Sequence, residues 1–181
     1  MESRSSSIIR EVALEASLDN FLDQVAHRGS WKGGGSVAAL SAALAAALLE
    51  KLVIDSSRSR RLRAIRRECV ELIERDARLF ARVIQATRAQ DRQAFRRALR
   101  AATDVPRRVY RHAVHVQEQC RRARRVVKPR FQSDLRCAAA VAAAAAVSAH
   151  ALIATNLAWL NDTPDSSRAQ HRTKKPVRAH A

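Results

Sequence analysis

Two stretches decide the fold: GGGSVAALSAALAAALLEKLVI at residues 33–54 and DLRCAAAVAAAAAVSAHALIATNLAWL at residues 134–160. Both are dominated by Ala, the best helix former, with Leu and Val interspersed. Both are apolar almost all round, the pattern of helices buried inside a bundle. Small side chains let helix axes approach closely, which favours tight bundles and helical dimer interfaces. Glu50, Lys51, His150 and Asn156 interrupt the two stretches. Ala adds little transfer free energy, so core helices are expected here and no membrane span.

Working outward, the rest of the chain reads as helix and polar break. Ser17 opens a first helix carrying Leu18, Phe21, Leu22 and Val25. Residues 28–36 form a loop centred on Gly33-Gly34-Gly35, and Ser36 is placed to cap the second helix. A third helix over about 61–88 has the stripe Leu62, Ile65, Cys69, Leu72, Ile73, Phe80, Val83 and Ile84. Asp91 caps a short fourth helix. Thr103-Asp104 before Pro106 is a helix-start signal and opens a fifth, which Pro129 ends. Ser133-Asp134 caps the sixth. The expectation is an all-α, single-domain bundle of about six helices, two of them Ala-rich and buried. Residues 1–16 are an N-terminal extension, 17–161 the bundle and 162–181 a disordered basic tail.

The formal net charge is +17. Between Arg58 and Arg130 there are 23 Lys and Arg against 7 Asp and Glu. A surface of this charge suits sequence-independent nucleic-acid binding. The alternative is solvated Arg faces opposite apolar stripes. The cysteines, Cys69, Cys120 and Cys137, are odd in number and far apart, which argues against a disulfide framework or a structural zinc site. The first ten residues have no apolar run of signal-peptide length, so a cytoplasmic location is expected.

Four features carry chemistry. Gly33, Gly34, Gly35 and Ser36 lead into a helix, where free N–H groups favour an anion or developing negative charge; a plain flexible loop is the alternative. Asp76 falls on the apolar stripe of the third helix, seven residues from Cys69 and from Val83. A carboxylate held there is a general acid/base or half of a structural ion pair. Ser133 and Asp134 are helix caps or ligand contacts. Asn156 is an amide deep in an apolar helix. His112, His115 and Glu118 share a helix face without further ligand support, so no metal site is expected.

In order, these features resemble the cyclodeaminase/cyclohydrolase family, across about residues 18–160. Phe21-Leu22-Asp23, the glycine run with its Ala-rich helix, Asp76-Ala77 with Phe80 and Val83, Thr103 to Pro106, and Ser133-Asp134 with Asn156-Leu157 carry the resemblance. Lys32 stands where the family usually has proline, and Leu152 where it has an amide. The resemblance implies a helical homodimer that binds folate and needs no cofactor besides a tetrahydrofolate derivative as substrate. It implies hydrolytic opening of methenyltetrahydrofolate, or closure of formiminotetrahydrofolate with loss of ammonia. Asp76 would be the acid/base, and Gly33, Gly34, Gly35, Ser36, Ser133, Asp134 and Asn156 would position the folate. The rival expectation is a catalytically impaired relative that binds a partner or nucleic acid through its Arg-rich surface.

Overall fold

The computed structural model describes residues 17–162. The expectations for 1–16 and 163–181 lie outside the described residues. Among the described residues there are five α-helices: α1 at 17–26, α2 at Gly34–Leu52, α3 at Ser56–Arg88, α4 at Arg92–Ala123 and α5 at Gln132–Asp162. A short 3-10 turn, Pro129–Phe131, precedes α5. Short connections make successive long helices antiparallel. Cross-helix pairs fix the register: Arg66 to Glu50, Arg75 to Asp104, and the Arg96 guanidinium to the carbonyl of Leu160. The α2 and α4 helices each pack on the other three long helices, so together they form the diagonal that α3 and α5 flank.

The core is built as the periodicity demands. On α2, Ala38, Ala42, Ala45 and Leu49 are buried, and on α5, which packs against it, Ala138, Ala142, Ala145 and Ala149 are buried as well. With a methyl group at every one of these positions but Leu49, the two backbones can lie close. The larger fillers, Leu62, Leu72 and Val83 of α3 and Leu99, Val109 and Val116 of α4, close the outer seams. Each such side chain, fully buried, contributes about 1.5–3 kcal/mol. Asp55 and Asp91 cap α3 and α4, accepting from the backbone N–H groups of Arg58 and Ala94 at 2.8 and 2.9 Å.

Three local expectations change. The short fourth helix and the fifth are one helix, α4, with Pro106 inside it. Proline removes one helical hydrogen bond, the one to the carbonyl of Ala102. The packing of buried Val105, Pro106 and Val109 on both neighbouring helices outweighs that loss. The capping signal at Thr103 is spent differently, since its buried hydroxyl donates to the carbonyl of Leu99 at 2.6 Å. On α3, Leu79 takes the core position expected of Phe80, which stays 39% exposed. And α5 is only partly covered: Ala138, Ala142 and Ala149 face inward, whereas Val147 on the opposite face is 71% exposed. By length and composition α2 and α5 are both apolar enough to cross a membrane.

Candidate active site at the start of helix α2

The α2 helix begins at Gly34 with Gly33 as its N-cap, and no side chain of its own caps it. Its first-turn N–H groups therefore need an outside acceptor. Asp76, from the middle of α3, supplies it. The Ser36 hydroxyl lies 3.2 Å from Asp76 Oδ2, and the Ser36 backbone N–H also bonds the carboxylate. Ser36 is thus not the cap expected from sequence but the third residue of the helix, fully buried between the two.

The approach is close enough to require glycine. A Cβ built on Gly35 would run into the whole Asp76 carboxylate, with Oδ2 only 2.5 Å away. Gly34 has ordinary space towards Leu152 at 3.6 Å, and Gly33 faces nothing within 4 Å. Of the three glycines, Gly35 is the one whose missing side chain makes room for the acid.

Desolvation pushes the Asp76 carboxyl above its ordinary value, and the two bonds from Ser36 pull partly the other way. The Ser36 hydroxyl also reaches the carbonyl of Ile73, at 3.3 Å. It can donate to Asp76 when the acid is ionised. When Asp76 is protonated, it can accept from it and donate to Ile73 instead. Both protonation states are therefore satisfied without moving the backbone, as a group that gives and takes protons requires.

Asp76 opens into a pocket of about 290 Å³. The glycine turn forms one wall, with Leu99, Ala102 and Pro106 of α4 opposite. Leu152, Thr155 and Asn156 of α5 form a third. Trp31, Phe80 and Trp159, each about two-fifths exposed, complete the lining. Both tryptophans of the chain are here. The approach loop is tied down by Lys32, which pairs with Glu74 and sits 5.7 Å from the Phe21 ring centre.

Of the residues singled out in the sequence, Gly33, Gly34, Gly35, Asp76 and Asn156 meet in this pocket, with Ser36 behind it. Ser133 and Asp134 do not. They lie in the first turn of α5, with Asp134 3.9 Å from Lys51 at the far end of α2. At a rise of 1.5 Å per residue they are about 33 Å along the helix from Asn156. Trp31, Trp159, Thr155 and Pro106 were not read as site residues: Phe80 was assigned to the core stripe of its helix, and Pro106 was read as the start of a new helix.

Outside the pocket, most reactive groups are buried or paired, and the Cys137 thiol is exposed. Cys69 and Cys120 are buried free thiols, pushed up to about 12 and about 11 by desolvation. His112 bonds Glu68 at 3.0 Å, and Glu118 is taken by Arg121 and Arg122. Among the described residues no group of three metal-ligating side chains occurs. A larger hollow of about 480 Å³ beside the α3–α4 turn has Asp91 as its carboxylate, already committed as a helix cap.

Fold and site together define an all-α bundle in which a buried acid closes the glycine-rich start of a neighbouring helix. The sequence profile of the formiminotransferase-cyclodeaminase family matches residues 17–175, and the chain belongs to that family. Among solved structures it is similar to the formiminotetrahydrofolate cyclodeaminase of Thermotoga maritima. The TM-score is 0.69 at 22% identity, over 85% of this chain and 83% of the other. That likeness establishes a shared fold. No curated protein matches the chain.

Proposed function

We propose that this protein is a folate one-carbon enzyme, a methenyltetrahydrofolate cyclohydrolase or formiminotetrahydrofolate cyclodeaminase, with Asp76 as its acid/base. The observation that carries the reading is a carboxylate raised by burial and held on two bonds from Ser36, at the wall of a pocket with aromatic lining. Family membership supplies the substrate class.

Both reactions turn on one carbon bridging two nitrogens, and both need a proton delivered and a proton removed there. In ring closure, the ring-forming nitrogen attacks the carbon of the protonated formimino group and loses its proton, while the departing NH2 nitrogen gains one and leaves as ammonia, with the positive charge kept on the methenyl product. In hydrolysis, water adds to the bridging carbon and loses a proton, then the hydroxyl loses its second proton as the formyl C=O forms and one carbon–nitrogen bond breaks, its nitrogen taking up a proton. Asp76 serves in either direction because burial brings its two protonation states closer in energy near neutral pH. Trp31, Phe80 and Trp159 offer flat apolar faces to the pterin ring, and Asn156 and Thr155 offer donors and acceptors at its edge.

The working unit is a homodimer. Leu44 and Val147 are 57% and 71% exposed, and Val37, about two helical turns before Leu44 on α2, is 40% exposed. The pocket volume sits at the lower limit for a small-molecule site, so a second copy fits as the remaining wall. The three free cysteines suit a reducing cytoplasm.

Tryptophan fluorescence tests the binding half of the proposal. Both indoles line the pocket, so a tetrahydrofolate derivative should quench the signal with saturation. Trp31→Phe and Trp159→Phe should each lose part of the quench. A signal insensitive to folate would contradict the reading.

A further inference from the structure

The charge that the pocket does not use collects at the other end of the bundle. There the ends of α2 and α4 meet the starts of α3 and α5. Residues 50–63 and 118–136 carry twelve Lys and Arg against four Asp and Glu. The acids are already engaged. Glu50 holds Arg63 and Arg66, Glu118 holds Arg121 and Arg122, Asp134 faces Lys51, and Asp55 caps α3. Arg124, Arg125, Lys128, Arg130 and Arg136 have no ion pair among the described residues, and all five are exposed.

Two of these cations, Arg124 and Arg136, line a built cleft. A cavity of about 360 Å³ opens between α4 and α5, lined by Arg121, Arg124 and Arg136 together with apolar Leu135 and Ala139. The turn that presents Arg124 is held in place, because the Gln132 side-chain amide donates to the carbonyls of Arg124 and Val127 at 3.0 and 2.9 Å.

We propose that this end of the molecule binds single-stranded nucleic acid. Arg124, Arg125, Lys128, Arg130 and Arg136 meet successive phosphates, and one base enters the cleft against the guanidinium planes and Leu135. A chain of phosphates matches cations spread across a whole bundle end, whereas one small anion reaches only those of the cleft. Arg outnumbers Lys here, and its planar fork suits both phosphate and base stacking. A duplex keeps its bases paired inside and can use only the outer charges. The site is separate from the Asp76 pocket and does not depend on the folate reading.

Fluorescence anisotropy with a labelled oligothymidylate of about 20 nucleotides tests this. Five phosphate contacts give a slope of log K against log salt of about −3.5 for a single strand. The triple variant R124Q/R125Q/R136Q should reduce that slope by about 2 and weaken binding at least tenfold at about 100 mM salt. R78Q/R82Q/R88Q, exposed arginines further along α3, should leave binding within about twofold, and circular dichroism should show both variants helical. The proposal is overturned by salt-insensitive binding, or by equal loss in the two triple variants. It is also overturned if inorganic triphosphate competes as well as the oligonucleotide per phosphate, which marks a free-phosphate site. Tighter binding to duplex DNA, or to phosphatidylserine vesicles, would equally refute it.

Discussion

Adding one methyl group at residue 35 should uncouple stability from activity. A Cβ on Gly35 would collide with Oδ1, Cγ and Oδ2 of Asp76, whereas ordinary contact begins at 3.4 Å, so the carboxylate must retreat by more than 1 Å. Overpacking of this kind costs about 1–3 kcal/mol. The same change removes a glycine from a helix, which returns about 1 kcal/mol. The net loss is about 1 kcal/mol, or about 2–4 °C in Tm for a domain of this size. Activity depends on geometry more steeply, and a displacement of about 1 Å at the acid lowers turnover by about 100-fold. Gly34→Ala, with Leu152 at 3.6 Å, and Gly33→Ala, with open space, serve as internal controls. Thermal unfolding and turnover, measured on all three variants, separate the effects. If Gly35→Ala retained full activity, or if Gly34→Ala lost as much, the close approach of the acid to the helix start would not be what positions it.

Replacing Ser36 by Ala removes a hydroxyl bond that lowers the Asp76 pKa, so the acidic limb of the pH–rate profile should move to higher pH; an unmoved limb would refute the role given to Ser36. Asp76→Asn should raise Tm at neutral pH. The folded-state pKa lies above the unfolded value of 3.8, so the native state holds more protons in between and loses stability as pH rises through that window. The gain should vanish below pH 3.8, and a variant less stable than the parent at neutral pH would contradict it. Leu44→Glu combined with Val147→Glu should halve the mass found by light scattering, because both carboxylates would be buried in the proposed dimer face. An unchanged mass would place the contact elsewhere.

Most of the architecture was legible because apolar periodicity and capping act locally. The Ala-rich helices, the stripe of α3 and the cap at Asp91 are short-range features with few alternatives, whereas the polar residues from Ser56 gave no sign that α3 already starts there on an Asp55 cap. The break expected before Pro106 failed because a single missing hydrogen bond is cheap beside the burial of Val105 and Val109 on two neighbouring helices. Asp76 stood out because an ionisable residue on an apolar stripe needs a partner. That partner, a helix start 40 residues earlier, is set by tertiary packing and cannot be read from spacing. For the same reason Ser133 and Asp134, whose pattern matches a cap, gave no indication that they lie at the opposite end of α5 from Asn156. Trp31, Phe80 and Trp159 converge from three elements, and sequence offers no signal that they do.

The central claim is that the acid at the start of α2 moves protons on a folate. Purified protein should speed the loss of methenyltetrahydrofolate absorbance, or the release of ammonia from formiminotetrahydrofolate. Asp76→Asn, folded and still quenched by folate, should be slower by about 100-fold or more. Turnover in the Asp76→Asn protein equal to that of the parent would contradict the account.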